Sequence, residues 1–145
     1  MIHPDSPERA ISIRQPWASL IIYDGKNIEN RSRRTNYRGP VALHASMTIE
    51  GDIVSAIVND IHPCTGRLFN SEAVEQGRHL VTGGIVGVAD VIDCVDRYPS
   101  EWFFGPYGYV LANARPVEFI PCPGALGLFD WRKALSKQKE KAKAA

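Results

Sequence analysis

The stretch Ala10-Ile-Ser-Ile-Arg-Gln-Pro-Trp-Ala-Ser-Leu-Ile-Ile-Tyr-Asp-Gly25 decides the fold class, because it changes from strand to helix pattern and then stops within 16 residues. Residues 10–13 alternate as a short strand does, with successive side chains on opposite faces. Pro16 then stands where a first helical turn has no use for an N–H, and Gly25 supplies the stop, which predicts a helix over 16–24. Downstream, 26–33 and 41–44 read as strands joined through Asn36-Tyr-Arg-Gly-Pro.

Ile49, Ile53, Val54, Ile57, Val58 and Ile61 form the apolar stripe of an amphipathic helix, and a weaker helical stretch covers about 70–80. Val- and Ile-rich segments at 84–95, 108–112 and 117–120 carry the strand signature, and 125–131 reads as a last edge strand. The strands are short, separated by Gly/Pro turns, and lack a regular β-α-β rhythm. The predicted class is therefore α+β: a small mixed β-barrel with flanking helices. The expected boundaries are a lead-in over 1–9, one domain over 10–131, and a basic, flexible tail over 132–145.

With 145 residues, 44% apolar and 23% charged, the chain suits one compact domain and excludes disorder, collagen and a coiled coil as whole-chain descriptions. The net charge of +1 conceals two opposed parts: the tail holds six of the 17 basic residues against one acid, and the remainder, 11 basic against 15 acidic, nets −4. Within that acidic part Lys26, Arg31, Arg33, Arg34 and Arg38 concentrate five positive charges in 13 positions. A uniformly basic nucleic-acid binder is excluded, whereas a local basic patch is not. Cys64, Cys94 and Cys122 are widely spaced and odd in number, which suggests neither a disulfide framework nor a Cys-rich zinc site. The N-terminus lacks the basic-then-apolar order of a signal peptide, and no apolar run approaches the roughly 20 residues that span a bilayer. A soluble cytoplasmic protein is expected.

Lys26 follows a helix-ending glycine, so its amine can project from a turn into a cleft, where loss of water would lower its pKa and let it act as a base or polarise a carbonyl. The plain alternative is a solvated lysine. Glu29 and Arg31 share one strand face, and Lys26 can join them only from the turn before the strand. Glu29 would then take a proton from water or orient the lysine, and Arg31 would hold a carbonyl oxygen or a phosphate; the alternative is a surface ion pair of small energetic value.

Gln15 offers both donor and acceptors for a base edge and Trp17 a face for stacking, with core packing of Trp17 equally open. Tyr107 and Tyr109 share a strand face, and Trp102-Phe103-Phe104 precede them as an aromatic loop that could wall a cleft, although aromatics are more often core. His44 and Ser46 are neighbours on one strand with no orienting carboxylate in sight, so Ser46 is kept as a substrate contact and His44 more loosely. Asp90, Asp93 and Asp96 do not share a strand face, and the second cysteine of a zinc-deaminase P-C-x-x-C is missing after Cys122. No metal and no cofactor are expected.

Three elements occur in order: Gln15-Pro-Trp-Ala, Gly25-Lys-Asn-Ile-Glu-Asn-Arg, and Arg38-Gly-Pro, continued by Gly84-Ile-Val-Gly-Val-Ala-Asp and Pro106-Tyr-Gly-Tyr-Val-Leu. Together they resemble the ASCH domain, a PUA-like family, over about residues 10–131. The resemblance implies a small β-barrel with a cleft associated with RNA or modified nucleosides, and in some members hydrolysis of N4-acetylcytidine or cleavage of single-stranded RNA. Relatives often carry an aromatic residue after E-x-R-S. Arg33 and Arg34 stand there in this chain, so any stacking that the aromatic supplies in relatives is not expected from this strand, and these arginines, with Arg38 nearby, could instead strengthen phosphate contact.

Three functions follow as expectations. The first is a metal-independent amidohydrolase for N4-acylated cytosine nucleosides, with Lys26, Glu29 and Arg31 as the reacting groups and Gln15, Trp17, Ser46 and Tyr107 holding substrate. The second is a ribonuclease for single-stranded RNA that uses Arg31, Arg33, Arg34 and Arg38 for phosphates with metal-independent acid and base groups, and the third is an RNA-binding module that holds a base in the same cleft without chemistry. The expected partner is a pyrimidine nucleoside or single-stranded RNA, with no membrane and no obligate protein partner.

Overall fold

The computed structural model describes residues 7–144. Most of the expected lead-in lies outside the described residues; of the rest, Pro7 is buried and Arg9 opens the first strand. The strands are β1 (Arg9–Gln15), β2 (Ile28–Arg31), β3 (Gly39–Ile49), β4 (Gly84–Val95), β5 (Tyr107–Pro121) and β6 (Leu128–Asp130). The helices are α1 (Trp17–Tyr23), α2 (Gly51–Val58), α3 (Glu72–Glu75) and α4 (Trp131–Ala144), with a 3-10 turn at Arg78–Leu80.

All six strands belong to one mixed sheet in the order β2-β5-β4-β3-β1-β6, in which β1 runs parallel to β3 and the other neighbours are antiparallel. The alternation read at residues 10–13 is realised: Ile11 and Ile13 enter one core with Val41, Leu43, Ala89, Val91, Leu111 and helix α1, while Ala10 faces the other way into a second core with Ala42, Ile85, Phe129 and Trp131. A third cluster, built on Leu20, Ile28, Ile57, Trp102 and Val110, packs α1 and α2 against the β2 end of the sheet.

The ring of the expected barrel is not closed by hydrogen-bonded ladders. Strands β2 and β6 are the two ends of the sheet, and β6 covers only Arg9, Ala10 and Ile11 of β1. The sheet nevertheless curls, because Arg31 on β2 reaches the backbone of Ser12 on β1, four strands away in the sheet order. Register shifts along the β4·β5 pairing, at Ile85/Gly87, Val88/Asp90 and Val91/Asp93, are bulges of the kind that bend long strands. They also explain why 108–112 and 117–120, expected as two strands, form the single β5. The chain passes through Asn113 at φ 55° without leaving the ladder, and its side-chain amide donates to Asp90 Oδ2 at 2.9 Å.

The basic segment expected as a flexible tail is a helix in the structure. Trp131, Ala134 and Leu135 anchor α4 to the second core, and the buried Trp131 indole donates to the Pro7 carbonyl, while Lys133 and the later lysine-rich turns are exposed. The weak helix expected over 70–80 is realised as the short α3 and the 3-10 turn. Among the described residues no helix is long and apolar enough to cross a membrane.

Candidate functional site

The gap in the sheet is where the candidate residues gather. Between β1 beyond its last β6 partner and the outer edge of β2 lies a cleft of about 640 Å³, lined by Ser12, Ile13 and Arg14 on one side and Glu29, Asn30, Arg31 and Ser32 on the other. Trp17, Lys26, Glu50, Cys64 and Phe104 are also in its wall.

Lys26 reaches the cleft from the turn, as the strand geometry required. Gly25 adopts φ 72°, a left-handed conformation that glycine takes without steric cost, and the Lys26 N–H then bonds back to the Leu20 carbonyl at 3.2 Å. Asp24 holds the same turn from the other side, accepting from Ser71 Oγ at 2.8 Å and from the backbone N–H of Glu72 and Ala73. The Lys26 side chain is 1% exposed. Its Nζ donates to the Ile28 carbonyl, lies 3.5 Å from Glu29 Oε1, and sits 5.4 Å from the centre of the Trp17 ring. Burial pushes the amine below its usual pKa of 10.5, and Glu29 opposes that shift only in part.

Glu29 bridges the two basic groups. Its Oε2 accepts from Arg31 Nη2 at 2.8 Å and Nε at 3.0 Å, while Oε1 faces Lys26. Strand alternation puts Glu29 and Arg31 on one face, and the turn swings Lys26 onto it. The surface-pair alternative does not describe this triad, because Lys26 and Glu29 are both buried.

Two aromatic rings frame the opening. Trp17 is half-buried and its indole N–H donates to Glu50 Oε2, so it is a cleft wall fixed by a carboxylate. Phe104 is 64% exposed with its ring centre 6.4 Å from that of Trp17. Asn30 sets the Phe104 loop: its Oδ1 accepts from the backbone N–H of Phe104 and Gly105, each at 3.0 Å, and its Nδ2 donates to the Trp102 carbonyl at 3.0 Å. Trp102 itself is core, packed on His62 and Phe69.

Several expected site residues lie elsewhere. Gln15 does not reach the cleft: it is fully buried, its Nε2 donates to the Val81 carbonyl at 2.9 Å, and its Oε1 accepts from the Ser19 N–H at 3.1 Å. Both ends of the amide are therefore used in joining β1, α1 and the segment after the 3-10 turn. Ser46 lines a separate, smaller cavity, and Tyr107 lies beneath the Arg34 guanidinium, 4.7 Å from ring centre to Cζ. The arginine row is largely neutralised. Arg34 pairs with Asp96 at 3.1 Å and Arg38 with Asp93 at 3.6 Å, which leaves the exposed Arg33 side chain without an ion pair among the described residues. The three spaced aspartates thus serve Asn113, Arg38 and Arg34.

Sequence reasoning missed Asn30, Glu50 and Cys64 as cleft residues, and singled out Phe104 only as part of a loop. Asn30 carried the one available signal, its place between Glu29 and Arg31; nothing local marks Glu50 or Cys64, which arrive through the packing of α2 and the loop beyond it.

A model of the ASCH domain matches residues 11–143, which includes most of α4. Curated relatives include activating signal cointegrator 1 of Homo sapiens, 31% identical over 118 residues, and of Mus musculus, 32% identical over 87 residues. These alignments take in 76% and 60% of this chain but only 19% and 14% of the relatives, so the chain spans under a fifth of their length.

Proposed function

The chain belongs to the ASCH domain family, a family associated in general with RNA, and on that premise we propose that its cleft hydrolyses the N4-acyl amide of an acylated cytosine nucleoside. The observation that carries this reading is the buried Lys26 amine in the wall of an open cleft, joined through Glu29 to Arg31. A neutral amine has two N–H groups and one lone pair. With the N–H groups directed at the Ile28 carbonyl and Glu29, the lone pair is the part left for a water proton.

Water adds to the acyl carbon as its proton passes to Lys26 Nζ. Arg31 is the cation at hand for the oxygen that gains charge. The Lys26 ammonium then returns the proton to the departing N4 as the C–N bond breaks, which gives the free acid and the unmodified cytosine. Phe104 and Trp17 offer faces for the base. A mildly acidic domain whose Arg34 and Arg38 are already ion-paired favours a nucleoside over a polyanion.

The curated relatives are named as cointegrators, and binding without chemistry in the same cleft is the reading to set against hydrolysis. Incubation with N4-acetylcytidine, followed by chromatography for cytidine, separates them. Turnover that Lys26→Ala abolishes supports the amidohydrolase. Absence of turnover together with degradation of unstructured RNA in chelator indicates a ribonuclease, and absence of both with salt-dependent RNA binding indicates a binding module.

A further inference from the structure

The Ser/His neighbours that the sequence offers, His44 and Ser46, do not pair; His44 instead faces Ser12 across the parallel β1·β3 register. His44 Nε2 lies 2.7 Å from the Cys122 carbonyl oxygen. A carbonyl only accepts, so Nε2 carries the hydrogen and, in the neutral ring, Nδ1 holds a lone pair. Ser12 Oγ, 3.0 Å from Nδ1, is therefore the donor of that bond. Burial depresses the pKa of His44 below 6.5, which keeps the ring neutral and accepting at pH 7.

This pair opens on a second cavity of about 290 Å³, lined among others by Ser12, His44, Ser46, Gly124 and Gln138. Gly124 creates the space beside the pair: a Cβ there would lie 3.0 Å from Ser12 Oγ and 2.9 Å from His44 Cε1. The chemistry proposed for Lys26 uses neither side chain.

We propose that Ser12 is a nucleophile, with His44 as its base, in a second site that takes small activated carboxylic esters. Ser12 Oγ bonds to the acyl carbon while its proton moves to His44 Nδ1. His44 gives that proton to the departing alkoxide as the ester C–O bond breaks. Water then hydrolyses the acyl-serine with His44 again taking the proton, so ester and water become acid and alcohol. The Cys122 carbonyl holds the ring tautomer, the part a carboxylate plays in a serine–histidine–aspartate triad. Ser46 and Gln138 supply a hydroxyl and an amide to the same cavity for the carbonyl oxygen.

An alkyl fluorophosphonate, read by intact mass and peptide mapping, tests the site on the full chain. One adduct per chain on Ser12 is expected, absent in Ser12→Ala, with a labelling rate that rises with pH through the depressed His44 pKa and then levels. His44→Gln puts an amide N–H where Nε2 donates to Cys122 but no acceptor where Nδ1 stood, so the fold is retained and labelling drops at least tenfold. Gly124→Ala fills the space and produces a similar drop with both reacting groups in place. Absence of a Ser12 adduct, or undiminished labelling in either variant, overturns the proposal.

Discussion

Arg31 Nη2 donates to the Ser12 carbonyl oxygen at 2.8 Å, which joins the β2 end of the sheet to β1 by a side chain where a closed barrel would have a ladder. The same nitrogen lies 2.8 Å from Glu29 Oε2, so the group that bridges the seam also fixes the carboxylate that faces Lys26. Architecture and candidate chemistry share one guanidinium.

Replacement of Lys26 by methionine keeps the buried volume and removes the amine. Hydrolysis of N4-acetylcytidine is expected to fall by about 10²–10⁴-fold, with no loss of Tm, because the cost of burying the amine is removed with it. In the wild type the reactive form is the free amine, and the amine's pKa lies below 10.5, so kcat should rise with pH toward that depressed value. A rate that falls as pH rises from 7 to 9 would contradict Lys26 as the base.

Phe104 is largely exposed, so Phe104→Ala is expected to leave Tm nearly unchanged. Loss of one stacking face weakens nucleoside binding by about 1–3 kcal/mol, readable by calorimetry. Unaltered affinity would exclude Phe104 as a stacking platform.

Trp131 is fully buried and joins α4 to the second core and to Pro7. Trp131→Ala is expected to cost about 3–5 kcal/mol and to lower Tm by roughly 10 °C, measurable by thermal melting. Lys141→Ala on the same helix, exposed and remote from that contact, should change Tm by no more than about one degree.

His44, His62 and His79 all have pKa values pressed below 6.5 by burial. The unfolded chain therefore binds protons more readily than the folded one as pH falls past 6.5. Their contribution to stability is complete above that value and is lost on acidification through the folded pKa values. Melting curves between pH 7.5 and 5 should show a falling Tm, and the fall should be shallower in His44→Gln.

Among the described residues Arg33 lacks the carboxylate partners that Arg34 and Arg38 have. If RNA binds, Arg33→Ala should reduce the slope of log affinity against log salt by about 0.7, and Arg34→Ala should reduce it less. Asp96→Asn releases Arg34 and should steepen the slope. Titrations at several salt concentrations decide it.

Local order was legible in residue pattern. The strand, helix and glycine stop of residues 10–25 occur where the alternation, Pro16 and Gly25 placed them, because those signals act over a few bonds and need no distant partner. Lys26, Glu29 and Arg31 were legible for the same reason: six residues of turn and strand, 26–31, bring them together. Gln15 looked like a reader of bases from its chemistry alone, and only the folding of the 78–81 segment onto β1 showed its amide used internally. The arginine row looked free because its neutralising aspartates lie at the end of β4, 62 residues from Arg34 in one pair. The open seam itself has no local signal. It depends on where β6 stops covering β1 and on how far the bulges of β4 and β5 curl the sheet, both long-range pairings whose energy is set by packing and not by the preferences of any single residue.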